Sequence, residues 1–180
     1  QDYSACVVMN TANEVVALYR NNRVDPTRYG DLLFYLGRYY NNALLAVESN
    51  SLGIATLNRL KQMNYVNLYH QTKVANVSNE EGSRLGWRTT QATKPMIVAH
   101  LKNAIENDDI NLASPRVIQE CLSYVADANG RTNAITGGHD DTVIATAIAF
   151  EVLRTHRDRL ISNRVGFQNQ QYEEDHTSWL

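Results

Sequence analysis

Cysteine, proline and long apolar runs are all scarce in this chain of 180 residues. Its two cysteines, Cys6 and Cys121, each lie within an apolar run, so neither a disulfide framework nor a cysteine zinc site is predicted, and a reducing compartment is expected. The longest apolar stretch, residues 142–150, is much shorter than the roughly 20 residues that cross a bilayer. The chain does not open with the basic residues and apolar run of a signal peptide, so we expect it to be soluble and not exported.

An excess of one charge is also missing. Lys and Arg total 17 and Asp and Glu total 19, which gives a formal net charge of −2. This balance argues against a protein that binds nucleic acid through bulk positive charge, so any anion must meet a local patch. With 43% apolar residues, the chain can still bury about 70% of its unfolded surface, which excludes disorder as its main state.

Apolar periodicity predicts strands first and then alternating strands and helices. Residues 3–9 and 14–20 favour β-structure and are separated by a short polar turn, as in an antiparallel hairpin. The Asp-Pro pair at 25–26 then predicts a helix that runs to about residue 40. Residues 43–47 are continuously apolar, which is typical of a strand covered on both faces.

The rest of the chain continues this alternation. Helices are predicted over 51–63, 94–106, 115–126 and 140–157, short strands over 65–69 and 109–112, and a loop or small hairpin over 76–91. In the first of these helices, Leu52, Ala55 and Leu60 are expected to face inward. This order favours an α/β fold with a mixed sheet and helices on both faces, spanning 1–165 and followed by a polar tail over 166–180.

Functional side chains in such folds gather where strands end. Glu48 follows the predicted strand 43–47 directly and precedes a turn that contains Asn50. A solvated acid that favours the next helix N-terminus would explain Glu48 equally well.

Two adjacent carboxylates, Asp140 and Asp141, open the apolar segment 142–150. One of them would suffice as an N-cap and helix-dipole partner, so the second is surplus. Together with Glu48 they form the oxygen-rich ligand set that Mg²⁺ or Mn²⁺ prefers. The pattern favours metal-dependent phosphoryl transfer, with His139 expected to orient a carboxylate or a water.

The segment 84–94 mixes cations with an aromatic side chain. Arg84, Trp87, Arg88 and Lys94 suit contact with phosphates and stacking on bases. A solvated loop with Trp87 packed on the core is the alternative. Phosphate-loop, nucleophile-elbow and His-Glu-x-x-His motifs are absent from the sequence, which disfavours an autonomous nucleotide hydrolase, an α/β-hydrolase and a zincin.

Four stretches carry a family resemblance through their order and spacing: residues 1–5, 47–53, 85–90 with Lys94, and 138–143. Together they resemble the C-terminal nuclease domain of the large terminase subunit of tailed bacteriophages, a relative of the ribonuclease-H-like nucleases. The resemblance implies a ribonuclease-H-like mixed central sheet and a site for two Mg²⁺ or Mn²⁺ ions that cuts concatemeric double-stranded DNA. It assigns Glu48 and Asp140 or Asp141 as catalytic metal ligands. From their positions next to these acids, Asn50 and His139 are expected to support them without binding the metal.

The resemblance also implies a missing strand and several partners. In the family, the first catalytic aspartate precedes a glycine-rich turn that leads into an Asp-Tyr pair like Asp2-Tyr3, so that aspartate and its strand are expected upstream of residue 1. The chain opens without Met, and we expect a longer polypeptide with an ATPase domain upstream. The portal protein and the small terminase subunit are the other implied partners, in the cytoplasm of a bacterial host and without a membrane.

Two other functions stay open on the sequence alone. A non-catalytic module on the same scaffold would hold DNA or dock on the portal, and the polar tail and absent aspartate favour it. A resolvase-like junction nuclease would use the same site chemistry but prefer branched DNA.

Overall fold

The computed structural model describes residues 3–72, 83–126, 132–134 and 139–177. Within these ranges the chain forms five helices and three two-stranded antiparallel sheets. The elements are β1 (Ser4–Met9), β2 (Val15–Asn21), α1 (Pro26–Tyr39), α2 (Ser51–Gln62), β3 (His70–Thr72), β4 (Ser83–Leu85), α3 (Thr93–Glu106), α4 (Pro115–Leu122), β5 (Tyr124–Ala126), β6 (Thr132–Ala134) and α5 (Asp141–Thr177). This confirms a mixed α/β chain. None of the helices described has both the length and the apolarity to cross a membrane.

The chain begins with the predicted hairpin. β1 and β2 pair antiparallel, with an irregularity in register between Val8 and Met9. In the turn, the Asn10 side chain accepts hydrogen bonds from the backbone N–H groups of Ala12 and Glu14. Asn13 adopts a left-handed φ of 61°, which asparagine tolerates better than most residues. The polar turn therefore specifies the hairpin locally.

Helices α1 and α2 pack against each other, but α2 presents a different face from the one predicted. Leu60 is buried as expected, whereas Leu52 is 66% exposed and Ala55 is also exposed. Thr56 and Leu57 are buried instead, and the Thr56 hydroxyl donates to the Pro26 carbonyl at 3.1 Å. The prediction was wrong because it left a polar side chain off the buried face, whereas Thr56 finds a hydrogen-bond partner 30 residues away at the start of α1.

The main core lies between α3 and α5. Ile97 and Leu101 from α3 pack with Val143, Ala147, Ile148 and Val152 from α5, together with Tyr69 and Trp87. The apolar residues whose repeat predicted these two helices thus form the interface between them. This interface fixes the start of α5 against the start of α3.

Several predicted boundaries are wrong. Helix α4 ends at Leu122, and β5 replaces its predicted last turn. Helix α5 continues through much of the predicted polar tail to Thr177. The predicted strands 43–47 and 65–69 form only isolated parallel bridges. Of the predicted loop 76–91, residues 83–85 form β4, and residues 76–82 lie outside the described residues.

Candidate active site

Glu48 lies at the end of an extended segment, residues 43–48. On one side of the segment, Leu45 O accepts a backbone hydrogen bond from Tyr69 N at 3.0 Å, and Val47 O accepts one from Trp87 N at 2.8 Å. Both neighbours run parallel to it at these bridges. The Glu48 side chain is half-buried. Backbone pairing therefore fixes the position of this carboxylate.

The turn after Glu48 is held by Asn50. Its Oδ1 accepts a hydrogen bond from Gly53 N at 2.7 Å and so caps α2. Its Nδ2 donates to Glu48 Oε2 over 3.4 Å. A Cβ atom at position 53 would overlap the Glu48 carbonyl oxygen, so this close approach requires glycine. Asn50 and Gly53 together join the start of α2 to Glu48.

Asp140 and Asp141 stand at the start of the most deeply buried part of α5. The Asp140 carbonyl accepts from Ile144 N at 2.9 Å, the first backbone hydrogen bond of the helix. Thr142 and Thr146, the second and sixth residues of α5, are fully buried. The acids therefore lie where a rigid, buried helix meets the surface.

Lys94, in the first turn of α3, forms an ion pair with Asp140, with 3.0 Å between Nζ and Oδ2. Partial burial by itself would lower the pKa of Lys94, but the hydrogen bond and charge of Asp140 outweigh it and hold that pKa above its usual value. Lys94 is therefore a fixed positive charge at neutral pH. His139 lies beside the second acid, with Nδ1 3.8 Å from Asp141 Oδ2.

A glutamate that the sequence analysis missed lies behind the acidic pair. Glu120, in α4, is only 5% exposed, and its Oε2 accepts hydrogen bonds from Thr142 N at 3.0 Å and Thr142 Oγ1 at 2.5 Å. Arg20, in β2, lies 3.3 Å from its Oε1. A signal for it exists in the sequence, because Glu120 follows the buried Val117 by three residues and so shares its helix face.

Glu48, Lys94, Asp140 and Asp141 all line one cleft of about 1220 Å³. Strand β1 and the segment 43–48 line it too, together with apolar side chains of α1 and α5. The structure thus brings the carboxylates of Glu48 and the acidic pair to one shared surface, with a cation among them.

The donor chemistry of this cleft suits a divalent cation, because carboxylate oxygens are hard ligands of the kind Mg²⁺ and Mn²⁺ prefer. Across the described ranges, however, no three His, Cys, Asp or Glu side chains come close enough together to hold a metal ion. Asp140 is paired with Lys94. The acids present therefore fit a divalent ion in type and supply part of its ligand set.

Two backbone edges border the cleft, and within the described ranges no strand lies between them. Alternate residues of an extended segment direct their N–H and C=O groups to opposite sides. Backbone groups at positions 45, 47 and 49 bond to residues 67, 69 and 87, whereas positions 44, 46 and 48 form no backbone hydrogen bond with any residue that the structure describes. β1 likewise pairs with β2 alone among the strands described.

The four candidate DNA contacts differ in exposure. Arg84 and Arg88 are exposed and Lys94 is half-buried, but Trp87 is 4% exposed and packs with Tyr69 at 6.1 Å between ring centroids. Stacking of Trp87 on DNA was therefore a wrong prediction, and the alternative of a core residue is correct. The reason is backbone pairing, since Gly86, at a φ of +79°, lets the chain approach Val47 closely.

Comparison with known proteins is informative at the level of structure. No protein-family profile matches the chain, and no curated protein matches it in sequence. Its structure is similar to that of the large terminase nuclease from thermophilic phage G20c with bound cobalt, at a TM-score of 0.64 and 19% identity over 84% of this chain and 75% of that one. The chain has the fold of a phage large terminase nuclease.

Two further structures of the same nuclease support this assignment. The form with bound magnesium also matches at a TM-score of 0.64, and a third structure matches at 0.62, each at 19% identity and the same coverage. The terminase-nuclease fold confirms the resemblance drawn from the sequence. The G20c nuclease has been observed with two different divalent metals, cobalt and magnesium.

Proposed function

We propose that this chain is the nuclease domain of a phage large terminase and cuts concatemeric double-stranded DNA with divalent metal. One observation carries the proposal: Glu48, Asp140 and Asp141 line one cleft in a fold shared with metal-bound terminase nucleases. Acids brought from an extended segment and a helix start to one surface are an arrangement suited to phosphodiester hydrolysis.

In this proposal Glu48 and the acidic pair hold two Mg²⁺ or Mn²⁺ ions. When bound, such ions supply an activated water and stabilise the leaving oxygen. Asn50, which contacts the Glu48 carboxylate, and His139, which lies beside Asp141, keep the two acids oriented. Neither supporting residue needs to touch the metal itself.

Cations around the cleft bind the DNA backbone. Lys94 is held at the cleft by Asp140 and is fully protonated at neutral pH. Arg84, in β4, and Arg88, three residues after the end of β4, are both exposed. Contacts of this type fix the register of a duplex without reading its sequence. They would place a phosphate next to the carboxylates.

The proposal includes a strand upstream of residue 1. An inserted strand would pair with the open edges of β1 and of residues 44–48, and would join them into the mixed central sheet between α1 and α5. Its side chains would meet apolar residues on both faces, such as Leu33 and Ile148. By the family resemblance it carries the first catalytic aspartate, which would complete the ligand set.

This role implies a place in a larger assembly. The nuclease domain would cover residues 1–165 and the upstream strand, with residues 166–180 following it and an ATPase domain preceding it in the same polypeptide. The portal protein and the small terminase subunit would be its partners in the cytoplasm of the bacterial host.

The test is cleavage of supercoiled plasmid with Mn²⁺ or Mg²⁺. The 180-residue chain is compared with an extended form, defined as the chain plus the upstream residues through the proposed strand. We expect the extended form to nick and linearise the plasmid, and Glu48→Ala or Asp141→Ala to abolish this without changing the melting temperature. Glu106→Ala is the matched control, because Glu106 is an exposed acid on α3 outside the cleft. Cutting that survives in Glu48→Ala would contradict the proposal.

A non-catalytic docking module is the second candidate. It is favoured by the lack of a three-ligand cluster among the residues that the structure describes. It predicts that Mn²⁺ leaves the melting temperature of the extended form unchanged, since a ligand stabilises only a state that binds it. A resolvase-like nuclease would instead cut a branched duplex faster than a linear one.

A further inference from the structure

The first turn of α5 is capped by an acid from another helix. The first N–H groups of a helix have no acceptor within that helix, and in α5 the first backbone bond is Ile144 N to Asp140 O. The N–H of Thr142 therefore needs an outside partner. Glu120 Oε2 provides it and also accepts from the Thr142 hydroxyl. The cap acts one residue after Asp141.

Arg20 holds the capping carboxylate from its other side. Its guanidinium lies over the Tyr3 ring at 3.3 Å from the ring centroid, and Tyr3 meets His139 edge-on at 4.8 Å. His139 in turn lies beside Asp141. These contacts form a ring around the start of α5, made by Tyr3 just before β1, Arg20 from β2 and Glu120 from α4.

The buried ion pair of Arg20 and Glu120 is not explained by a gain in the free energy of unfolding. Arg20 Nε and Glu120 Oε1 are buried, and neither has a hydrogen-bond partner among the residues described. Desolvation of two charges offsets most of their attraction, and apolar residues in their place would often be as stable. What the pair does supply is a fixed direction for one carboxylate oxygen.

We infer that Glu120, oriented by Arg20, is a positioning residue for the acids of the cleft. It holds the first turn of α5 so that Asp141 keeps its place as a metal ligand. This inference rests on the proposed nuclease function. Groups that orient metal ligands without touching the metal change metal affinity or activity by about 10–100-fold when they are removed.

The test compares Glu120→Ala with Glu151→Ala in the extended form. Both changes remove a buried acid that contacts α5 or belongs to it, and Glu151 is 4% exposed. Calorimetric titration with Mn²⁺ measures metal affinity, and hydrogen exchange measures protection of the Thr142 N–H. We expect Glu120→Ala to lose that protection and to weaken Mn²⁺ binding by about tenfold. Glu151→Ala should lower the melting temperature and change neither quantity.

Two further variants keep the test decisive. Glu120→Gln retains an acceptor for Thr142, so we expect it to restore part of the Mn²⁺ affinity that Glu120→Ala loses. If Glu120→Ala does not fold, Thr142→Val removes the hydroxyl contact at nearly constant volume and should weaken Mn²⁺ binding in the same direction.

The outcomes separate the two proposals. Equal Mn²⁺ affinity in the unaltered protein, Glu120→Ala and Thr142→Val would overturn the positioning role alone. Equal losses of affinity in Glu120→Ala and Glu151→Ala would also overturn it, because they would show a general effect of stability. If the unaltered extended form binds no Mn²⁺ and cuts no DNA, the nuclease proposal itself is wrong.

Discussion

Glu151 shows how a buried acid on α5 is kept charged. Its carboxylate accepts from Arg154 Nε at 3.1 Å and Nη2 at 2.8 Å, and it lies 2.7 Å from His100 Nδ1. Burial alone would raise the pKa of Glu151, but the hydrogen bonds and charges of Arg154 and His100 outweigh it and lower that pKa below the usual 4.5. The folded state therefore favours the ionised acid.

This lowered pKa predicts a specific pH dependence. A depressed carboxyl pKa contributes stability above its unfolded value, and that stability is lost as the pH falls through the folded value. We expect Glu151→Gln to reduce the free energy of unfolding by about 1–3 kcal/mol at pH 7 and to flatten its decline below about pH 4.5. Urea unfolding across this range measures both. Parallel pH profiles for the variant and the unaltered protein would contradict the assignment.

The thiol of Cys6 is predicted to be inert. Burial raises the pKa of Cys6 to about 12, so almost none of it is thiolate at pH 8, and the thiolate is the reactive form. We expect iodoacetamide at pH 8 to leave Cys6 unmodified in the folded protein and to alkylate it in urea. Peptide mass mapping gives the result, and equal labelling in both states would show that the thiol is accessible.

At the scale of elements, the junction between the segment 43–48 and α2 depends on Gly53. A Cβ atom there would overlap the Glu48 carbonyl oxygen, so Gly53→Ala must displace either the turn or the helix. We expect a loss of about 1–3 kcal/mol in the free energy of unfolding and slower plasmid cleavage by the extended form. Ser51→Ala, at an exposed position in the same turn, is the control and should change neither. Unchanged cleavage in Gly53→Ala would show that Glu48 tolerates the shift.

Elements with strong local signals were predictable from the sequence. The cap of α1 is an example, because the Asp25 carboxylate accepts from Thr27 N and Arg28 N as its Asp-Pro pair predicts. The β1–β2 hairpin is another. Errors occurred where a local pattern was ambiguous. Residues 124–126 continue the apolar repeat of α4, yet they form β5 and pair with β6 further along the chain.

The candidate site likewise contains residues that local patterns predicted and residues that only long-range contacts reveal. Glu48, Asp140 and Asp141 follow local patterns, namely an acid after an apolar segment and acids at a helix start, and the fold brings them to one cleft. The spacing of Glu120 from Val117 signals only that both residues share a buried helix face. The contacts of Glu120 with Arg20 and Thr142 were missed because these partners are distant in sequence, and no local spacing reveals a contact between β2, α4 and α5. Burial of Trp87 was one of two alternatives that the sequence left open, and its 4% exposure decides between them.

At the scale of the whole molecule, near-neutral charge predicts weak and salt-sensitive DNA binding. The formal net charge is −2, so affinity depends on a few exposed cations rather than on the overall field. We expect Arg88→Gln to weaken binding of the extended form to duplexes of any sequence and to reduce the salt-dependence slope by about one. Arg116→Gln, exposed on α4, is the control. A tight complex insensitive to salt would contradict this expectation.

The backbone edges beside the cleft also affect how the 180-residue chain behaves in solution. The backbone N–H and C=O groups at positions 44, 46 and 48 lie next to an apolar cleft and have no backbone partner among the described residues. Such groups are a template on which another extended chain can add. The 180-residue chain should therefore self-associate as its concentration rises, while the extended form stays monomeric in sedimentation velocity. We therefore expect a few backbone amides, rather than its surface charge, to limit its solubility.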